Sequence, residues 1–347
     1  MSQGARLASR LSQIKPSSTL AITAKAKKLK AEGKDIVILA AGEPDFDTPD
    51  FIKKAAIEAI QAGFTKYTPT TGIPELKKLI CDKFKKDNSL IYEPHQVVVS
   101  CGAKHSIFNT LLVLIDRGDE VLIPSPYWVS YPEMVHVCEG IPRFIKTTLK
   151  NHFKITAKDL ESAIQPKTKL LILNSPSNPT GCVYTREELK AIAELCVEKN
   201  IYVISDEIYE KLIFDGQTHV SIASFNKKIY DLTITINGLS KSYSMTGWRI
   251  GYLGAPPEIA EAVSRLQDHS TSNPVSISQK AGIAAFGAPE CFYQDICKKF
   301  EERRDYCVSR LKNIKKLGYC LPGGAFYIFC DISKTGMSSQ VFAERLL

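Results

Sequence analysis

A lysine among small residues, directly after an apolar stretch, is the first group in this sequence that could do chemistry. Lys241 follows one predicted strand and precedes another, so its side chain is expected to project into a cleft. Burial lowers the pKa of an amine and makes it a nucleophile for an aldehyde. Ser240 and Arg249 lie close in sequence and could bind a phosphate, because the guanidinium group offers a planar set of donors. An exposed loop lysine is the plainer alternative, and the flanking residues disfavour it.

Polar residues follow other apolar stretches in the same way. Asp206 ends the run Ile-Tyr-Val-Ile-Ser-Asp, where a buried carboxylate requires a cationic partner such as a protonated pyridine nitrogen, unless it caps a helix or forms a structural ion pair. Asn178 begins an Asn-Pro-Thr-Gly turn and could present its amide to a ring oxygen. Gly102, Ala103 and Lys104 form a strand–glycine–helix turn, whose backbone N–H groups are suited to a phosphate.

The positions of these residues are set by an alternation of short β-branched runs and longer amphipathic stretches along the chain. The pattern in 186–199 places apolar residues at three- and four-residue spacings and predicts a helix. Such alternation predicts an α/β fold, with a mostly parallel sheet sandwiched by helices and ligands bound beyond the carboxyl ends of the strands. The predicted strands are 96–100, 120–124, 169–173, 201–205, 232–236 and 248–253.

The length of 347 residues predicts two packed domains. We expect residues 49–288 to form the large ligand-binding domain, and residues 1–48 and 289–347 to form the two parts of a smaller α+β domain. In the last part, a Pro-Gly-Gly turn precedes a predicted apolar strand at 325–330, and a helix is predicted at 338–347.

Composition excludes several classes of function. The net charge of +8 has no dense basic stripe with interleaved aromatic residues, which disfavours a nucleic-acid partner. None of the ten cysteines lies in a CxxC pair or in zinc-ligand spacing with the six histidines, so no metal site is predicted. No apolar run is long enough to span a membrane. The N-terminus is basic but leads into a helical pattern, so a cytoplasmic protein is predicted over one with a transit peptide.

Taken together and in this order, the motifs resemble the bacterial-type aspartate aminotransferases, which belong to the pyridoxal-phosphate-dependent enzymes of fold type I. The resemblance extends over essentially all 347 residues. The last of its stretches, around Lys241, is the most specific. The stretches that carry it are 40–49, 66–69, 125–132, 174–181, 205–209 and 240–249.

The resemblance implies a role for each matching residue. Lys241 would bind pyridoxal phosphate covalently and, once displaced by substrate, shuttle a proton. Asp206 would pair with the pyridine nitrogen and keep it protonated. Tyr209 and Asn178 would hydrogen-bond the phenolic oxygen of the ring. Trp128 would stack on the ring face, whereas its alternative is a core tryptophan.

The phosphate would lie against the turn formed by Gly102, Ala103 and Lys104, with Ser240 and Arg249 completing its contacts. Tyr67 resembles the tyrosine that reaches the phosphate from a neighbouring subunit, which implies a homodimer with shared active sites. Gly42 resembles the glycine whose backbone approaches the substrate carboxylate, and otherwise it is a plain turn before Pro44.

Lys104 and Thr19 match positions that recognise the distal carboxylate in the bacterial-type branch. They favour aspartate and glutamate with their 2-oxo acids as substrates, exchanged by a ping-pong mechanism. Prephenate, another dicarboxylate, stays an alternative substrate. A carbon–sulfur lyase and a catalytically impaired cofactor-binding paralogue are the alternative functions.

The chain departs from the family pattern at its end. It stops at Leu347, before the segment that carries the arginine for the substrate α-carboxylate in that family. A bidentate arginine orients the bond that must break, so this chain as written is expected to bind cofactor but to transaminate poorly. Every cofactor-contacting position is present, which favours an incomplete chain over a degenerate paralogue.

Overall fold

The computed structural model describes residues 6–16, 18–40 and 42–347. Alternating helices and strands fill this part of the chain. The helices are α1 (Ser18–Ala31), α2 (Asp50–Gln61), α3 (Pro74–Asn88), α4 (Ala103–Leu114), α5 (Ser130–Val137), α6 (Ala157–Ala163), α7 (Arg186–Glu198), α8 (Lys227–Tyr230), α9 (Pro257–Asp268), α10 (Ser276–Phe286), α11 (Glu290–Leu311) and α12 (Ser339–Leu346). The strands are β1 (Val97–Ser100), β2 (Glu120–Ser125), β3 (Ile141–Lys146), β4 (Thr168–Asn174), β5 (Tyr202–Asp206), β6 (Thr233–Gly238), β7 (Gly251–Gly254), β8 (Gly318–Tyr319) and β9 (Cys330–Asp331).

Seven strands form one sheet in the order β1-β7-β6-β5-β4-β2-β3. Strands β3, β2, β4, β5 and β6 are parallel, and β7 is antiparallel to both β6 and β1. Strand β1 therefore runs in the same direction as β6. As a result, the carboxyl ends of β1, β4, β5 and β6 all lie at one edge of the sheet, where ligands bind in folds of this type. The predicted α/β fold is confirmed.

The sheet is buried on both faces, which explains why its strands are nearly continuous apolar runs. In β4, Leu170 and Ile172 pack with α4, α5 and α9 on one face, while Leu171 and Leu173 pack with α6 and α7 on the other. This alternation follows from the two-residue period of a strand. The rigid core holds the strand ends in place for the polar residues that follow them.

Helix α7 shows how local sequence sets an element. The Thr185 hydroxyl accepts a hydrogen bond from the Glu188 N–H, and the Glu188 carboxylate accepts one from the Thr185 N–H, which together form a capping box. Leu189, Ile192 and Cys196 then fall on one face of the helix and are buried against the sheet. Burying each large aliphatic side chain stabilises the fold by about 1.5–3 kcal/mol. The predicted helix is confirmed.

Two strand predictions were wrong in extent. The strand predicted at 248–253 begins only at Gly251, because residues up to Trp248 form a 3-10 turn and Arg249 adopts a left-handed conformation with φ +55°. The strand predicted at 325–330 is mostly irregular, and only Cys330 pairs, with Tyr319. Ala325 is buried in the cluster around Tyr209, and the half-buried Phe326 packs edge-on against the Tyr209 ring, so packing rather than strand pairing holds these residues. Strand β3 was not predicted, because only one of its residues is buried.

The C-terminal region contains the long helix α11, the small β8–β9 sheet and α12. The helix predicted at 338–347 is confirmed as α12. Residues Phe300 and Ala325 pack with Tyr209 and Phe214 in a separate apolar cluster, which places the C-terminal region beside the end of β5. The domain limits at residues 48 and 288 stay a prediction. Among the described residues, no helix is both long and apolar enough to cross a lipid bilayer.

Candidate active site

Most of the predicted site residues lie at one edge of the sheet, where β1, β4, β5 and β6 have their carboxyl ends. The turn at Gly102 follows β1, Asn178 follows β4, Asp206 ends β5 and Lys241 follows β6. Residues far apart in sequence thus meet because parallel strands end at the same edge.

Lys241 lies at the centre of this group. Its Nζ donates a hydrogen bond to the carbonyl oxygen of Gly42 at 2.5 Å and lies 6.0 Å from the centre of the Tyr209 ring. Burial lowers the pKa of Lys241 to about 8, and the nearby Arg249 charge acts in the same direction, whereas the carboxylates of Glu43 and Asp206 oppose it. The side chain is therefore an amine that loses its proton near neutral pH.

Asp206 is a carboxylate with only 4% of its surface exposed. Its Oδ2 accepts a hydrogen bond from the Tyr131 hydroxyl at 2.6 Å, and its Oδ1 accepts one from the Ile208 N–H at 3.3 Å. Burial raises the pKa of Asp206 to about 6, although these hydrogen bonds favour the charged form. A buried carboxylate in this state is stabilised by any cationic group that a ligand brings.

Two backbone-anchoring contacts fix the neighbouring strand end. Asn174 donates from Nδ2 to the carbonyl oxygen of Asp206 at 2.8 Å, and its Oδ1 accepts from the N–H of Asn178 at 2.7 Å. Asn174 therefore ties the turn after β4 to the end of β5. The backbone positions of Asn178 and Asp206 are thereby held relative to each other.

Tyr209 and Asn178 meet at a third residue, Tyr327. The hydroxyl groups of Tyr209 and Tyr327 are 2.6 Å apart, and Asn178 Nδ2 donates to Tyr327 Oη at 3.1 Å. Tyr209 is buried, and its ring packs edge-on against Tyr327 at 5.7 Å between centroids. Tyr209 and Asn178, the two residues predicted to hydrogen-bond a ring oxygen, are thus joined through a residue that was not predicted from the sequence.

The turn after β1 has the geometry of an anion-binding site. Gly102 has φ +90° and directly precedes α4, whose first N–H groups have no partner within the helix. A Cβ atom on Gly102 would lie 2.3 Å from Arg249 Nη2, so only glycine lets the guanidinium group approach. Arg249 donates to the carbonyl oxygens of Thr246 at 3.0 Å and Cys101 at 3.2 Å, which holds it over the turn. Ser240 is buried nearby in the chain that leads to Lys241.

Lys104 and Trp128 form a cation–π pair beside this turn. The Lys104 Nζ lies 4.8 Å from the centre of the Trp128 ring, and Trp128 packs edge-on against Tyr131 at 5.3 Å. Burial and the positive charge of Arg249 lower the pKa of Lys104. Trp128 is only partly buried, so it does not belong to the apolar core as a fully enclosed side chain.

The remaining predicted residues lie in different settings. Gly42 joins the group through its carbonyl contact with Lys241, and a Cβ atom there would lie 2.3 Å from Tyr327 Oη. Tyr67 is 90% exposed, so its ring is not enclosed by the rest of the described chain. Thr19 lies on the exposed face of α1, with its carbonyl oxygen accepting from Thr23 Oγ1 at 2.8 Å.

The sequence prediction missed Tyr131 and Tyr327. Tyr131 lies in the stretch 125–132, where its hydroxyl could have been noted as a partner for a buried acid. Nothing in the sequence marked Tyr327 as a site residue, because it lies in the segment 325–330 that was predicted to be a strand.

A buried network next to the site was also missed. Glu207 accepts from Ser205, Ser221 and Asn88, and its Oε2 lies 2.8 Å from His219 Nε2. Glu207, Glu210 and His219 offer ligand atoms within 4.8 Å of one another, but the Lys83 ammonium already pairs with Glu210. Opposite charges and amide donors satisfy these carboxylates, so the network is an ion-pair cluster that supports the end of β5.

Comparison with known proteins places the chain in a family. The sequence model of the family described as aminotransferase class I and II matches residues 34–347. An aspartate aminotransferase of Bacillus sp. strain YM-2 is 50% identical over 98% of this chain and 88% of that protein. A probable aspartate/prephenate aminotransferase of Aquifex aeolicus is 47% identical over 98% of this chain and 85% of that protein.

The fold agrees with solved structures of the same kind. The aspartate aminotransferase of Thermus thermophilus with maleate matches with a TM-score of 0.93 and 41% identity, covering 98% of this chain and 88% of that one. The aspartate aminotransferase of Rhizobium meliloti matches with a TM-score of 0.92 and 44% identity, covering 95% and 83%. The chain therefore belongs to the class I and II aminotransferase family and is an enzyme, a transferase.

Proposed function

We propose that this protein is a pyridoxal-phosphate-dependent aminotransferase that moves an amino group between aspartate or glutamate and 2-oxo acids, by a ping-pong mechanism. The observation that carries the proposal is the juxtaposition of Lys241, whose pKa is about 8, with the buried carboxylate Asp206 at the ends of neighbouring strands. The names of the relatives, aspartate aminotransferase in three of them, support the same activity.

The residues present fit this cofactor. Gly102 leaves the space over the turn to the guanidinium group of Arg249 and to an anion, and a Cβ atom would fill it. Asp206 is a buried acid whose pKa is raised, which suits a protonated ring nitrogen as its partner. When bound, pyridoxal phosphate supplies an aldehyde that reacts with amines and a protonated ring that accepts the electrons of the substrate Cα–H bond.

Each residue then has a defined task. Lys241 would hold the cofactor through its neutral amine, and its Nζ would take the proton from the substrate α-carbon once the substrate amine had replaced it. The Asp206 carboxylate would hold the proton on the ring nitrogen. Tyr209 and Asn178 would donate hydrogen bonds to the ring oxygen, and Trp128 would pack on the ring face.

The phosphate group would be bound by the turn after β1. The N–H groups of Ala103 and Lys104 point out of the first turn of α4, where the helix dipole favours negative charge. Arg249 adds a fixed positive charge, and Ser240 adds a hydroxyl group. This turn would hold the phosphate end of the cofactor, and Lys241 would hold the aldehyde end.

The positive charges beside the phosphate-binding turn, on Lys104 and Arg249, favour dicarboxylate substrates. Lys104 would bind the distal carboxylate with help from Thr19, and the backbone of Gly42 would approach the α-carboxylate. Prephenate is the second candidate substrate, because relatives such as that of Aquifex aeolicus are named for both aspartate and prephenate. Both substrates carry a second carboxylate, so the same cations serve either.

A homodimer with shared active sites completes the proposal. Tyr67 would reach the phosphate of the partner subunit, since it is 90% exposed on its own subunit. Exposed apolar side chains elsewhere are suited to a subunit contact. These residues are Val37, Leu39, Ile57, Ile60 and Val275. A cytoplasmic location stays a prediction.

The test follows the absorbance of the bound cofactor when purified protein is mixed with aspartate and then with 2-oxoglutarate. We expect the carbonyl-form band to convert slowly to the amine form and to return, with prephenate run in parallel as acceptor. The Lys241→Arg variant is the matched control and should show no conversion. A bound band that responds to no amino acid would refute transamination, and release of pyruvate and ammonia from cysteine would favour the lyase instead.

A further inference from the structure

Tyr327 joins three parts of the site that are remote in sequence. Its hydroxyl lies 2.6 Å from the Tyr209 hydroxyl and 3.1 Å from Asn178 Nδ2. A Cβ atom on Gly42 would lie 2.3 Å from the same oxygen, so Gly42 packs directly on the Tyr327 hydroxyl. The carbonyl of Gly42 in turn accepts from Lys241 at 2.5 Å. Tyr327 therefore contacts Tyr209, Asn178 and Gly42, and reaches Lys241 through the carbonyl group of Gly42.

Either tyrosine hydroxyl could donate in this pair, but a ligand oxygen that accepts from Tyr209 decides the direction, because the Tyr327 hydrogen then needs Tyr209 Oη as its acceptor. A tyrosine hydroxyl has one hydrogen to donate, and Asn178 Nδ2 can only donate. Within residues 6–16, 18–40 and 42–347, Tyr209 Oη is the sole acceptor at hydrogen-bond distance from Tyr327 Oη. Burial raises the pKa of Tyr327 to about 12, so its hydroxyl keeps the hydrogen that it needs to donate.

The consequence concerns the hydrogen of Tyr209. If Tyr327 donates to Tyr209, the Tyr209 oxygen is occupied on that side and its own hydrogen is turned toward the cleft. The second hydrogen of the Asn178 amide is likewise left for the cleft. Two donors then point at one place, where an oxygen of a ligand ring is expected.

We propose that Tyr327 is a positioning residue, which accepts from Asn178 and donates to Tyr209 so that both present a hydrogen to the ring oxygen of the cofactor. This inference rests on the proposed function and adds to it a residue that acts through Tyr209. Donors at the ring oxygen favour its anionic form and so lower the pKa of the lysine-bound cofactor. Loss of the Tyr327 hydroxyl frees Tyr209 to rotate its hydrogen away, which raises that pKa.

The experiment is a pH titration of the absorbance of the bound cofactor in the holoenzyme, without substrate. Tyr327→Phe should raise the midpoint by about half to one pH unit, a roughly three- to tenfold higher proton affinity. Tyr209→Phe should raise it further. Because Tyr327 acts largely through Tyr209, with a smaller part through Asn178, the double variant should exceed Tyr209→Phe by less than the shift that Tyr327→Phe causes alone. Tyr306→Phe, at an exposed position on α11, is the control and should leave the midpoint unchanged.

The outcomes separate this inference from the proposed function. If wild type binds cofactor and Tyr327→Phe leaves the midpoint in place, or if the two shifts add in the double variant, Tyr327 does not act through Tyr209. If wild type shows no bound cofactor, both ideas fail together. Should Tyr327→Phe not fold, Gly42→Ala displaces the same hydroxyl through its added Cβ and must raise the midpoint instead.

Discussion

The ionisation of Lys241 gives the sharpest prediction for this site. Burial lowers its pKa from the ordinary 10.5 to about 8. At pH 8 an ordinary lysine is neutral in only about 0.3% of molecules, whereas this one is neutral in about half. The nucleophilic form is therefore about 150-fold more abundant at that pH than for an exposed lysine.

The assay measures how fast pyridoxal, which lacks the phosphate, is trapped by borohydride on protein prepared free of cofactor. We expect the rate at Lys241, identified by peptide mass, to rise with pH through a midpoint near 8. Glu43→Gln removes a charge that raises the pKa of Lys241 and should lower the midpoint. Arg249→Gln removes a charge that lowers the pKa and should raise it.

Lys77 provides the matched control. It is a half-buried lysine whose pKa is also lowered by burial, but it lies on α3, where its Nζ donates to Thr71. Lys77→Arg should leave the midpoint of Lys241 unchanged. A midpoint at or above pH 10, or shifts of the same sign in the Glu43 and Arg249 variants, would refute the reasoning.

Three further predictions concern the surroundings of this lysine. Burial raises the pKa of Asp206 to about 6, so its charge destabilises the cofactor-free fold above that pH. Asp206→Asn should then be about 3 kcal/mol more stable at pH 8 by urea unfolding, with the difference falling between about pH 6 and pH 4 and vanishing near pH 3, and with the thermal shift from pyridoxal phosphate reduced. Gly102→Ala places a Cβ 2.3 Å from Arg249 Nη2 at φ +90° and should cost about 1–3 kcal/mol, while calorimetry shows weaker cofactor binding. Glu207→Gln breaks the buried pair with His219 and should cost about 3–5 kcal/mol. Burial opposes protonation of His219, but Glu207 raises the pKa of His219, and the pKa of Glu207 is lowered. The loss should therefore be largest between about pH 4.5 and 6.5 and should shrink as the pH rises through the pKa of folded His219. Equal losses at pH 6 and pH 9 would contradict it.

Local patterns in the sequence predicted most of the fold. The two-residue period of β4 and the capping box and apolar face of α7 are properties of neighbouring residues, so they are visible without a structure. The same holds for the polar residues that follow each strand. The strand prediction for 325–330 was wrong, because Ala325 and Phe326 pack around Tyr209 and only Cys330 forms a strand pair.

The sequence alone determined which residues follow the strand ends, and with them Lys241, Asp206 and the Gly102 turn. Only the tertiary structure decided their partners. Tyr131 is 75 residues from Asp206, and Tyr327 is 118 residues from Tyr209. Contacts over such separations depend on how the whole chain closes around the sheet, and a single sequence carries no local signal for them. For the same reason the low pKa of Lys241 emerged only when folding buried the amine beside Gly42 and Tyr209.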